Sequence, residues 1–137
     1  MMWSPERNAL EANLAFYEAL TARDLEAMGR LWSNTERVSC THAGWQVLHG
    51  RRQVMASWRT LFADPGHRVI RCEDARAVVI DHVALVTCAE KLPDGVRAAT
   101  NLFTLERGVW KLVHRHVGPV SRDTLPPESA PPRDALN

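Results

Sequence analysis

Through the first half of the chain apolar residues recur at three- and four-residue intervals; from Arg68 onward they alternate with polar ones. Ser4-Pro5-Glu6 has the form of a helix start, with Ser as N-cap and Pro at the first helical position. Leu10, Leu14 and Tyr17, with Phe16 and Leu20 on a neighbouring ridge, predict the stripe of an amphipathic helix. Asp24 caps a second helix, whose Leu25, Met28, Leu31 and Trp32 share one face. Residues 38–41 and 47–49 read as short strands around the turn His42-Ala43-Gly44-Trp45. Gly50 precedes a third helix, 51 to about 63, with Val54, Met55, Trp58, Leu61 and Phe62 as its apolar set. Asp64-Pro65-Gly66 stops it.

Four strands follow, at about 68–80, 83–92, 96–106 and 109–117. Asp81-His82, Pro93-Asp94-Gly95 and Arg107-Gly108 separate them as hairpin turns. Helices first and a meander afterwards predict an α+β domain, three helices laid on one face of a curved antiparallel sheet. Such a sheet leaves a concave pocket at its open end. The tail beyond Gly118 is rich in Pro, Ser, Asp and Glu and cannot bury much. The expected organisation is one domain over residues 1–119 and a disordered tail over 120–137.

Composition narrows the function classes. A net charge of +1, with arginines scattered among carboxylates, gives no stripe for nucleic acid or a membrane surface. No apolar run approaches the length of a membrane span, and Met1 to Ala12 has no secretory pattern. Cys40, Cys72 and Cys88 are odd in number and lack metal-site spacing, so they read as free thiols of a cytoplasmic protein.

The stretch from Phe16 to Trp58, FYEALTARDLEAMGRLWSNTERVSCTHAGWQVLHGRRQVMASW, resembles the front half of a nuclear-transport-factor-2-like, or SnoaL-like, domain. Its helix ending, "LW" helix, strand, turn, "HG" and "SW" helix occur in that family's order. Thr100-Asn101-Leu102-Phe103 and the last strand, WKLVHRHVGP, extend the resemblance over about residues 8–119. That last strand is similar to the association domain of calcium/calmodulin-dependent kinase. The resemblance implies a cone-shaped, cystatin-like roll, usually a homodimer through the sheet, with a pocket between sheet and helices. It does not imply one activity.

Candidate site residues come from two sources. If Arg107-Gly108 is a two-residue turn, Asn101 pairs with His114, Phe103 with Leu112 and Leu105 with Trp110. That reading puts Asn101, Phe103, His114 and His116 on the concave face, with Trp58 and Trp45 as aromatic walls. Arg115 and Val117 then face away, unless a bulge in the last strand swaps the faces. The alternative use of Asn101 and His114 is to satisfy each other's buried polarity. The second source is the resemblance to ketosteroid isomerases, which puts His42 at or beside the position of the general base. The oxyanion-hole tyrosine position falls on Phe16, and the carboxylic-acid position falls near Thr100-Asn101, where there is no acid. Steroid isomerisation is therefore not expected.

The kinase association domains bind small anions through pocket arginines. The corresponding positions here are Asn101 and Val117, and Arg97 or Arg115 would substitute only with the opposite face assignment. His42, His114 and His116 number the ligands of a catalytic zinc site, but no carboxylate backs them, and no metal or other cofactor is expected. Two readings stay open. One is a SnoaL-like protein that binds a neutral organic ligand, with general acid/base catalysis by His42, Asn101 and His114 as an option. The other is a non-catalytic ligand-binding or oligomerisation module.

Overall fold

The computed structural model describes residues 4–66 and 69–124. The chain forms α1 (Pro5–Ala22), α2 (Leu25–Leu31), β1 (Ser39–Thr41), β2 (Leu48–His49), α3 (Arg51–Ala63), β3 (Arg71–Ile80), β4 (Val83–Leu92), β5 (Gly95–Glu106) and β6 (Val109–Pro119), then a short 3-10 turn, Arg122–Thr124. Residues 125–137 of the expected tail lie outside the described residues.

Local chemistry accounts for the boundaries. Ser4 Oγ accepts the Arg7 N–H at 3.1 Å, and Asp24 Oδ1 accepts the Ala27 N–H at 3.0 Å, so both predicted caps operate. Arg23 ends α1 in the left-handed region at φ 53°. Gly50, at φ 85°, turns the chain from β2 into α3, and a Cβ there would meet Glu36 Oε2 at 2.8 Å. Arg51 ties α3 to the end of α2 by donating to the carbonyls of Gly29, Trp32 and Ser33. The turn Arg107-Gly108 has positive φ at both residues, the geometry whose twist matches its flanking strands.

Three helices lie on a six-stranded sheet of order β2-β1-β6-β5-β4-β3, the α+β class the pattern predicts. The sheet is mixed rather than antiparallel throughout, because β1 adds to the free edge of β6 in parallel. The buried stripe of α1 is Ala9, Asn13, Phe16, Tyr17 and Leu20, one step round from the predicted one, and Leu14 is 58% exposed. These residues pack on Ala84, Val86 and Cys88 of β4, and on Ala99 and Phe103 of β5.

One register detail decides what faces the helices. Leu105 opposes Trp110 and Phe103 opposes Leu112, as expected, but Leu102 opposes His114 and Asn101 opposes Arg115. The ladder shifts between Leu102 and Phe103, leaving Val113 as the extra residue of a bulge. A neighbouring edge accompanies the shift: Ser33 N–H donates to the Leu112 carbonyl at 2.8 Å, and β1 begins its pairing at His114. Because side chains alternate along a strand, one inserted residue exchanges the two faces beyond it. Arg115 and Val117 are therefore buried under the helices, each 2% exposed. His114 and His116 move to the outer face, which corrects their expected place.

Candidate functional site

The helix-facing side of the sheet holds a polar network inside an apolar layer. Glu90, fully buried, follows Val86 and Cys88 on the inward face of β4. Its Oε2 accepts from Arg115 Nη1 at 2.6 Å and from the Tyr17 hydroxyl at 2.6 Å. Its Oε1 accepts from Arg115 Nη2 at 3.2 Å and from Arg97 Nη2 at 3.0 Å. Four donors satisfy the carboxylate, which is what a buried charge requires. Burial alone pushes the Glu90 carboxyl up; the Arg115 guanidinium and its hydrogen bonds, with Tyr17 and Arg97, outweigh it and hold the group below the usual carboxylate range. Burial opposes the charge on Arg115, but Glu90 more than restores it and raises its pKa. The guanidinium carbon also lies 5.0 Å from the centre of the Phe16 ring and 6.0 Å from that of Trp58.

Asn101 completes this network rather than a ligand contact. Its Nδ2 donates to Asn13 Oδ1 at 2.9 Å and to Tyr17 Oη at 3.2 Å, and its Oδ1 faces Arg115 Nη1 at 3.4 Å. The neighbouring thiols join it: Cys88 Sγ lies 3.1 Å from Tyr17 Oη, and Cys72 Sγ accepts from Asn13 Nδ2 at 3.7 Å.

Arg97 and Arg115 both reach a cavity of about 220 Å³ between α3, the β1–β2 turn and the sheet, with His42, Trp45, Trp58 and Phe62 on its walls. Trp45 stands at the mouth, 40% exposed, and its ring meets His42 edge-on at 4.9 Å. Trp58 also meets His42 edge-on, at 4.7 Å. The Ser57 hydroxyl donates to the Val54 carbonyl at 2.6 Å, so its oxygen accepts from His42 Nε2 at 2.8 Å. That tautomer leaves Nδ1 without a proton, 3.8 Å from Cys40 Sγ. Burial, reinforced by Arg115 and Arg97, lowers the His42 pKa from 6.5 to about 4. His42 is thus neutral at pH 7 and a weak base. Burial pushes the Cys40 thiol up to about 12, so it stays protonated.

Of the sequence candidates, the cavity brings together His42, Trp45 and Trp58. Phe103 is 1% exposed in the core and Asn101 lies one layer deeper; neither lines the cavity. His114 does not meet Asn101: it bonds Ser39 Oγ at 2.7 Å on the outer face, beside an exposed His116 whose ring centre is 6.3 Å away. The three imidazoles considered for zinc therefore stand on opposite sides of the sheet. Among the described residues no group of three or more His, Cys, Asp or Glu could hold a metal ion. The sequence reading missed Glu90, Tyr17, Asn13 and Ser57 and turned Arg115 outward. A signal did exist for two of them: Glu90 continues the apolar alternation Val86, Cys88, and Asn13 falls at helical spacing between Ala9 and Tyr17.

Fold and site together define an α+β pocket domain of the nuclear-transport-factor-2-like class. A family profile described as SnoaL-like domain matches residues 9–120, so the chain belongs to the SnoaL-like family. A candidate dehydratase of the NTF2-like family from Streptomyces avermitilis is 31% identical, with TM-score 0.75, over 82% of this chain and 94% of that one. A candidate calcium/calmodulin-dependent protein kinase type II association domain from Thiobacillus denitrificans is 27% identical, with TM-score 0.75, over 80% and 93%. F-box protein SKIP8 of Arabidopsis thaliana is 29% identical over 116 residues, 83% of this chain; the match spans 50% of that relative's length. No helix among the described residues is long and apolar enough to cross a membrane.

Proposed function

We propose that the domain is a non-catalytic binding module whose cavity takes a small organic anion, a short-chain carboxylate, rather than the neutral ligand expected from the sequence. The observation that carries this reading is the pair Arg97 and Arg115 at one cavity, both bonded to Glu90 behind it, while the other carboxylate, Asp64, stands exposed at the rim. The buried group of three is then net positive. Trp45, Trp58 and Phe62 would receive the ligand's apolar body, and neutral His42 would add a polar wall without adding charge. The likeness to an association domain supports this reading.

A general acid/base enzyme with His42 as base is the second reading. His42 Nδ1 is unprotonated, but a base of pKa about 4 is poorly matched to neutral pH. Asn101 is also fully engaged elsewhere. Calorimetric titration with butyrate and benzoate, against butanol and benzyl alcohol, tests the proposal. Carboxylate binding, lost in Arg97→Gln, is the expected result. Equal binding of the alcohols would sink it.

A further inference from the structure

The two pocket arginines do not offer the cavity their full charge. Glu90 takes both Nη atoms of Arg115 and one of Arg97. Yet Nε of Arg97, Nε of Arg115 and Nε1 of Trp58 are buried donors with no hydrogen-bond partner among the described residues, and all three residues line the cavity. Unpaired buried N–H groups are costly, and these three belong to side chains of one cavity wall, so a small rearrangement around an entering acceptor has donors to offer. Glu90 itself does not line the cavity. It sits behind the arginines, shielded from whatever enters.

Building on the anion-binding reading above, we propose that Glu90 sets the charge selectivity of the pocket: it cancels one of the two guanidinium charges, so the cavity accepts a monoanion and rejects a dianion. With Arg97, Arg115 and Glu90 all ionised the sum is one positive charge. His42 adds none at neutral pH. Asp64 at the rim is exposed, with its Oδ1 accepting from the Gly66 N–H, and it too disfavours a second negative charge. A ligand with one carboxylate balances the positive charge left on the Arg97–Glu90–Arg115 group. A second carboxylate would be desolvated in a cavity walled by tryptophan and phenylalanine, with no further cation for it among the described lining residues.

Butyrate and succinate have the same carbon count and differ by one charge at pH 7.5, so titration calorimetry with these two reads the proposal directly. The wild-type protein should bind butyrate at least about tenfold more tightly than succinate, the scale of one uncompensated charge near a partly buried site. Glu90→Gln should raise succinate affinity about tenfold or more and erase the preference. If Glu90→Gln does not fold, Ile70→Lys adds the same charge at a half-buried lining position without touching the network, and should act the same way. Wild-type protein that binds both acids equally would overturn the role of Glu90 while leaving anion binding intact. So would a preference that neither variant shifts. Wild-type protein that binds neither acid would overturn both proposals.

Discussion

Replacing Arg115 by Met retains much of the aliphatic bulk and removes the guanidinium from a position that is 2% exposed. Glu90, fully buried, then loses two of its four hydrogen bonds, both charge-assisted, and keeps only Arg97 and Tyr17. Removing one partner of a buried ion pair typically costs about 3–5 kcal/mol, because the other charge is left uncompensated. Arg97 remains 3.0 Å from Glu90, so we expect the lower end of that range, about 3 kcal/mol. For a domain of this size that is roughly 10–15 °C in melting temperature. Urea denaturation at pH 7 measures it. The partner variant decides the cause: in Arg115→Met/Glu90→Gln the stranded charge is gone, so the double variant should be more stable than Arg115→Met alone. A loss below about 1 kcal/mol in Arg115→Met, with no recovery on neutralising Glu90, would refute the argument that this pair is electrostatically committed.

Acid should destabilise the fold through His42. Its pKa falls from 6.5 to about 4 on folding, so between those values the unfolded chain holds a proton that the folded one lacks. The His42 contribution is therefore unaffected above the ordinary value, declines as pH drops through 6.5, and levels off below about 4, by at most about 3 kcal/mol. Glu90, whose pKa is lowered in the fold, extends the loss at lower pH. Denaturation series from pH 7.5 to 4 should show this slope in the wild type and a shallower one in His42→Gln; equal slopes would contradict it. On the outer face, exposed Val78, Ile80, Val83 and Leu85 form adjacent cross-strand pairs of β3 and β4, the surface that the expected homodimer through the sheet would use. Leu85→Glu should convert a dimer to a monomer in light-scattering chromatography, while a wild-type monomer would remove the assignment. His114→Ala should leave butyrate affinity within about twofold, because the ring lies across the sheet from the cavity; a larger loss would place it in the site after all.

The helices, their caps and the hairpin turns were legible because they rest on local chemistry. Ser4 and Asp24 present a side-chain oxygen to N–H groups within one turn, and Arg107-Gly108 supplies the positive φ that a tight hairpin needs. His42, Trp45 and Trp58 were legible as pocket residues because the turn and the helix that carry them keep their positions relative to the strands. The family was legible from the order of those same elements.

What lay beyond the sequence turns on one residue of register. Alternation gives the faces of a strand only while its ladder is unbroken, and nothing in WKLVHRHVGP announces that Val113 will be left over. That bulge accompanies the docking of Ser33 and β1 on the free edge of β6, residues more than seventy positions away in the chain. Tertiary pairing thereby turned two histidines outward and brought Arg115 in to meet Glu90. The sequence by itself determined that this chain is an α+β domain with a pocket walled by tryptophan. Only the folded sheet decided that arginine, rather than histidine, faces that pocket, because the face a strand residue occupies is set by its partners on neighbouring strands.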